Sequence, residues 1–231
     1  MPSFVQTSLA AAMGLSCAGT FVGLRSPNKN PSVAPRSGDV AGNPIPFALF
    51  TIFSKVPTAI GLYTTYLALR WPVSDSPGSN FSRLNPDLFT WSPSTILPIA
   101  ALLGIGIPLR LISYSSLGKN FTFKLQAPDE LVTTGIYKYV QHPSYTGLTI
   151  VTITNAFLFL RPDGVVGLLM PTRGRDVFMW LWSVALTGLV SLSTFMLGKR
   201  VQEEERLLKS TFGKDWVEWH SRTARFIPWL W

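Results

Sequence analysis

Residues 177–212 read VFMWLWSVALTGLVSLSTFMLGKRVQEEERLLKSTF, and the way this stretch divides decides the fold. From Val177 to Leu197 there is no charged residue. A helix needs ~20 mostly apolar residues to cover roughly 30 Å of hydrocarbon, so this run predicts a membrane span. Arg200 to Phe212 then changes character, mixing basic and acidic residues before Gly213, a suitable residue to end a helix. A span followed directly by a charged helix is the pattern to look for elsewhere.

Apolar runs of similar length recur towards the N-terminus. Phe4 to Leu24 carries no charge and no basic residue precedes it, so it reads as a retained span rather than a cleaved leader. The Pro-, Ser- and Asn-rich segment 25–46 reads as a linker. Phe47 to Leu69, interrupted by Lys55 and Pro57, is a second span. Ser94 to Ser113 is a third, with Pro98 and Pro108 inside it and Arg110 near its end. Ser144 to Leu160 is a short fourth, and 165–171 either extends it or turns back after Arg161-Pro162-Asp163-Gly164. The expectation is an all-α integral membrane protein of about five transmembrane helices with a cytosolic C-terminal helical segment. Residues 1–90 form N-terminal spans and linkers, and 91–231 form the part that carries chemistry.

Composition agrees. Charged residues make up 14% of the 231-residue chain, against ~25% in soluble domains. Fifteen Phe, eight Trp and six Tyr exclude a disordered chain. The formal charge of +8 first suggests an anionic partner such as nucleic acid, anionic lipid or an acidic substrate. Sorted by loop, it becomes a topology signal instead. Arg25, Lys29, Arg36, Lys119, Lys124 and Lys138 fall on the same side as the basic tail from Lys199 to Arg225. Arg70, Arg83, Arg161, Arg173 and Arg175 fall on the other. The richer side is cytoplasmic by the positive-inside rule, which puts the N-terminus in a lumen and leaves no call for nucleic acid. Of two glycosylation sequons, Asn80-Phe81-Ser82 is then lumenal and Asn120-Phe121-Thr122 cytosolic. Cys17 is the single cysteine, excluding an internal disulfide and reading as a small buried hydrophobe.

Both histidines and the run Glu203-Glu204-Glu205 lie in the two cytosolic segments. In the first, His142 precedes Pro143, which suits the first position of a helix, so the fourth span begins there. Its free N–H groups and positive dipole end could hold a carboxylate or phosphate, flanked by His142 and Tyr145. Equally, Tyr137, Tyr139, His142 and Tyr145 could simply mark an interfacial aromatic belt. Two distant histidines are too few for a metal site, so none is expected. In the second segment, Val201, Leu208 and Phe212 share one helical face, and Glu204 and Glu205 fall within it rather than opposite. The alternatives are a solvated run of charges with Arg200–Glu204 as an i, i+4 pair, or acids held for a cationic partner. Trp216, Trp219, Trp229 and Trp231 with Arg222 and Arg225 read as an interfacial amphipathic segment, with His220 on its surface.

Gly135-Ile136-Tyr137, Gln141-His142-Pro143-Ser144-Tyr145-Thr146-Gly147, the acidic helix closing on Phe212-Gly213 and the final Arg225-Phe226-Ile227-Pro228 together resemble the isoprenylcysteine carboxyl methyltransferase family. The related phospholipid methyltransferases share the same plan. The resemblance covers roughly residues 90–231, making 91–231 a membrane-embedded methyltransferase domain. It implies S-adenosylmethionine as cofactor, held by Gln126, Leu131, Val132, Tyr137, His142, Pro143, Ser144, Tyr145 and Glu204. It implies Arg200 facing the carboxylate of a prenylated cysteine, with prenylated protein C-termini and the bilayer as partners. It also implies the endoplasmic reticulum as location, with the active site cytosolic. Two positions depart from the family pattern: Gln141 stands where Arg is usual, and Asp129 where His is common. The first removes a cation near the expected anions. Methylation of a phospholipid amine or another small molecule, which would need a base such as His142 or Glu204, is the alternative reaction. A non-catalytic protein retaining the fold is the alternative class.

Overall fold

A computed structural model describes residues 1–28, 44–72, 81–123, 125–171 and 173–228, with backbone only over 44–54. The linker residues Lys29 and Arg36, the sequon residue Asn80, Lys124, and the terminal Trp229 and Trp231 lie outside the described residues. Among the described residues the regular elements are helices, joined by loops such as 125–134, and an isolated parallel bridge pairs Val140 with Ala224.

Helix α1 runs Phe4–Gly23 and opens on a capping box in which Ser3 and Gln6 satisfy each other's backbone N–H groups. α2 covers Pro44–Arg70 with Pro57 inside it. α3 (Pro93–Ala101) and α4 (Ile107–Leu117) are one continuous rod, joined by a π-helical turn over Leu102–Gly106. That turn immediately precedes Pro108, whose ring removes a backbone donor, and a widened turn absorbs the defect. α5 is Pro143–Phe159, α6 is Arg175–Phe212 and α7 is Lys214–Arg222. Helices therefore stand where all the spans are expected. Three stretches, Phe4–Gly23, Pro86–Asn120 and Arg175–Phe212, are long and apolar enough to cross a membrane. α5, at 17 residues, falls short of that length.

α6 joins two expected elements into one. The fifth span and the acidic helix run on without a break through Gly198, giving 38 residues and, at 1.5 Å each, about 57 Å. A bilayer core of roughly 30 Å cannot contain that length, so one end must project. Burial shows which end packs: Val201, Glu205 and Leu207 are the buried residues of α6. The apolar half stays exposed at Val177, Phe178, Trp180, Leu181, Val184, Leu192 and Phe195, as a lipid-facing surface would be.

The main core joins Leu9, Met13 and Cys17 of α1 to Leu67 and Ala68 of α2, Leu88 and Phe89 of the following turn, Ile99 of α3, and Leu158 and Phe159 of α5. Val165, in a 3₁₀ turn over Val165–Leu169, closes its base, so the segment after Gly164 turns back into the bundle. The α4–α5 crossing is the closest approach that matters for the site. A Cβ at Gly147 would stand 2.8 Å from the Gly106 carbonyl oxygen and 3.1 Å from Cγ of Arg110. Only glycine lets these backbones touch, and the contact sets Arg110 beside the first turn of α5.

Candidate active site

Position 142 is where the chain changes course. His142 has φ −125° and ψ 52°, outside the helical region, and Pro143 begins α5 as expected. The preceding residues are fixed by the C-terminal segment. Gln141 N–H donates to the Ala224 carbonyl at 2.8 Å and His142 N–H to that of Arg225 at 2.9 Å. Thr146 Oγ1 adds a bond of 2.8 Å to the Phe226 carbonyl.

Two adjacent acids of α6 then meet this turn in different ways. Glu205 is buried, accepting from Arg225 at 2.9 Å through Oε2 and lying 3.3 Å from His142 Nε2 through Oε1. It locks tail, turn and α6 together. Glu204, one residue earlier and half-buried, accepts from the Tyr145 hydroxyl at 2.7 Å through Oε2. The Arg200 guanidinium lies in hydrogen-bonding range of the same hydroxyl and donates to the Phe123 carbonyl at 3.0 Å. Helical spacing placed both acids on the packing face; contact with the turn separates an acid used for architecture from one at a mouth. Glu203, beside them, has a buried carboxylate oxygen without a hydrogen-bond partner.

Tyr137 lies near Glu204 and Arg110. It is buried with Trp216 and Trp219, and Leu131, Val132, Ile136, Leu208 and Phe212 pack around the three rings. Trp219 Nε1 donates to the Tyr137 carbonyl at 2.9 Å. Burial pushes the Tyr137 phenol well above its ordinary range, more than Ser113 and Arg110 nearby lower it, so it is a neutral hydrogen-bonding group at pH 7.

Sequence-predicted residues therefore fall into groups. Tyr145, Glu204 and Arg200 converge on one hydroxyl, and His142, Pro143 and Ser144 form the turn beneath it. Leu131, Val132 and Tyr137 share the aromatic cluster. Gln126 is exposed and makes no hydrogen bond among the described residues.

Three readings change. Trp216 and Trp219 point into the protein: they are 6% and 4% exposed, because α7 folds back against the 131–137 loop. His220 is half-exposed, but it is held rather than free. It stacks on Trp216 at 4.3 Å between centroids, and its Nδ1 lies 2.8 Å from Gln141 Oε1. Burial first, then the charge of Arg225, holds its pKa below the ordinary 6.5 despite Glu205. Gln141, finally, is not an arginine substitute facing anions. Its Nε2 donates to the Thr223 carbonyl at 2.6 Å and to the His220 carbonyl at 3.2 Å, so the whole amide is spent on holding the tail.

One residue that sequence reasoning passed over sits at the centre. Arg110, taken for the end of a span, is 1% exposed. Its Nε donates to the Gly23 carbonyl at 2.9 Å, and its Nη1 reaches the Ser144 hydroxyl and carbonyl. A charged side chain inside an otherwise apolar run was the available signal.

Residues 99–174 match the model of the isoprenylcysteine carboxyl methyltransferase family. A protein-S-isoprenylcysteine O-methyltransferase of Dictyostelium discoideum is 26% identical over 134 residues, 56% of this chain and 47% of that protein. Protein-S-isoprenylcysteine O-methyltransferase B of Arabidopsis thaliana is 25% identical over 130 residues, 54% of this chain and 55% of that protein. The Saccharomyces cerevisiae enzyme of the same name is 26% identical over 159 residues, 64% and 57% of the two chains. The chain thus spans about half the length of the curated relatives it matches. By the segment that holds Arg110 and the His142–Tyr145 turn, it resembles the isoprenylcysteine carboxyl methyltransferase family.

Proposed function

We propose that the protein transfers a methyl group from S-adenosylmethionine to the C-terminal carboxylate of a prenylated cysteine, at the cytosolic face of a membrane. The observation that carries this reading is the meeting of Glu204 and Arg200 at the Tyr145 hydroxyl, over the first turn of α5. An anionic and a cationic side chain side by side suit a reaction that joins a cationic donor to an anionic acceptor.

The residues present fit the donor. It brings a sulfonium, an ammonium, a carboxylate and an adenosine. Glu204 suits its cations or ribose, and the faces of Tyr137 and Tyr145 suit a sulfonium. The N-terminal end of α5 and a buried Arg110 nitrogen without a partner suit its carboxylate. Leu131 and Val132 offer an apolar wall beside Trp216 and Trp219, and Gln126 stands at the surface. When bound, the donor supplies a methyl group activated by the sulfonium charge.

Every further requirement falls on the chain itself. No strong base is needed, since a C-terminal carboxylate with an unperturbed pKa of ~3.5 is ionised at pH 7. Hydration makes it a poor nucleophile, so catalysis lies in orienting it and excluding water. Arg200 holds one face of the carboxylate. The prenyl tail enters from the lipid, which gives a reason for embedding such an enzyme in the bilayer. Five spans, a lumenal N-terminus and residence in the endoplasmic reticulum complete the reading, supported by the distribution of Lys and Arg among the loops.

Labelled S-adenosylmethionine and a farnesylated cysteine, given to the purified protein, test it. The reading expects base-labile label in the farnesylcysteine. Base-stable label in lipid would replace it with amine methylation, and no incorporation into either would overturn it. Glycan on Asn120 would overturn the orientation.

A further inference from the structure

Arg110 is a buried cation without a counter-charge. Among the described residues no carboxylate lies within ion-pair distance of it. Its neighbours are two backbone carbonyls, the Ser144 hydroxyl, and the rings of Tyr114, Phe121 and Phe123 at 4.8, 5.8 and 5.8 Å from the guanidinium carbon. The phenols of Tyr114, Tyr145 and Tyr137 complete its surroundings, that of Tyr114 within hydrogen-bonding range of the guanidinium, and phenols carry no charge at neutral pH. Nη2 is buried and has no hydrogen-bond partner.

A guanidinium has five N–H donors in a fixed fork and never gives up its proton in a protein. Ring faces and carbonyls offset part of the desolvation, but a buried charge with a spare pair of donors remains costly. The first turn of α5 adds the positive end of a 17-residue helix at the same place, since Nη1 is bonded to Ser144. Two positive features converge, and among the described residues Glu204 and Glu205 reach the turn through Tyr145 and His142, not through Arg110.

Position 141 explains why the cation is needed here. Gln141 is neutral and turned into the tail, so the His142–Tyr145 turn has no charge of its own on that side. Arg110 reaches the same turn from α4. We infer that Arg110 is a carboxylate-binding residue of the site, its Nη2 completing a fork with Nη1 and Ser144 around a ligand carboxylate. This rests on the methyltransferase reading, in which donor and acceptor each bring one carboxylate.

The test is binding, measured on the full chain in nanodiscs with four probes. S-adenosylhomocysteine is compared with 5′-methylthioadenosine, which lacks the amino-acid carboxylate, and farnesylcysteine with its methyl ester. In the wild type each acid should bind better than its neutral counterpart. Arg110→Met should weaken one acid at least tenfold while leaving the neutral member of that pair within twofold, and the pair affected identifies whose carboxylate is held. Arg110→Lys, which keeps the charge without the fork, should retain part of that preference. It decides the matter if the Met variant does not fold. Equal loss for acid and neutral probes, or a preference equal to the wild type's in the variants, would overturn the inference alone. A wild type that bound none of the probes would overturn the methyltransferase reading and the inference together.

Discussion

The two ends of α5 carry polar clusters of opposite character. At its C-terminal end, Asp163 receives Arg161 through two bonds of 2.8 and 2.6 Å and the Asn85 side chain at 2.9 Å. The Asn85 N–H meets the Asp163 carbonyl, also at 2.9 Å. Arg161, Asp163 and Asn85 close on one another, while Arg175 Nε, beside Gly167, is buried without a partner. At the N-terminal end, Glu205 is equally closed by His142 and Arg225, yet Arg110 Nη2 is buried without a partner. Both clusters hold helices together. At the second, the spare donor belongs to a guanidinium with no carboxylate in ion-pair distance among the described residues and stands against a helix N-terminus, which is what an anionic ligand requires.

That contrast can be broken at its strongest point first. Glu205→Ala leaves the His142 turn and Arg225 without their shared acid. Arg225 is half-exposed, so the loss is that of hydrogen bonds to a buried carboxylate, roughly 2–3 kcal/mol, which chemical denaturation in detergent would measure, with early proteolysis after Gly213. Gln141→Ala should cost less, about 2 kcal/mol, because it orphans the Thr223 carbonyl and the His220 ring rather than a charge. Its signature would be loss of the Trp216 and Trp219 fluorescence environment, with the bundle intact. Asp163→Ala, at the closed end, should cost at most about 1 kcal/mol, since Arg161 is partly exposed. Binding of S-adenosylhomocysteine should not change. If that affinity fell as well, the two ends would not be separable as described.

Acidification gives the smallest effect and a defined sign. His220 is held below its ordinary 6.5, so its folded form favours the neutral ring. The contribution is complete above that value and is lost as pH falls through the lower folded pKa. The tail should therefore become protease-sensitive on going from pH 7 towards pH 5. A tail that loosened on going to alkaline pH would contradict the burial of this ring.

The features legible in the sequence were local ones. Pro143 set the start of α5 and Gly213, at φ 55°, set the end of α6. Hydrophobic run length found the helices, and helical spacing put Glu204 and Glu205 on the packing face. What escaped depends on contacts between distant residues. Trp216, Trp219 and His220 look outward-facing until α7 is seen against residues 131–141. Gln141 looks like a lost arginine until its amide is found on Thr223. Arg110 owes its burial to Gly23, Phe121, Ser144 and Gly147, brought together from three other segments. Nor could periodicity distinguish Glu204 from Glu205, neighbours on one face that meet different partners.

The central claim is that the open end of α5, read through Glu204, is where the methyl donor binds. Calorimetric titration of S-adenosylhomocysteine into Glu204→Gln, beside wild type and Asp163→Ala, tests it most directly. The account predicts at least a tenfold loss of affinity in Glu204→Gln with folding unchanged, since the glutamine keeps a carbonyl for Tyr145 but removes the charge. Wild-type affinity in Glu204→Gln would contradict it.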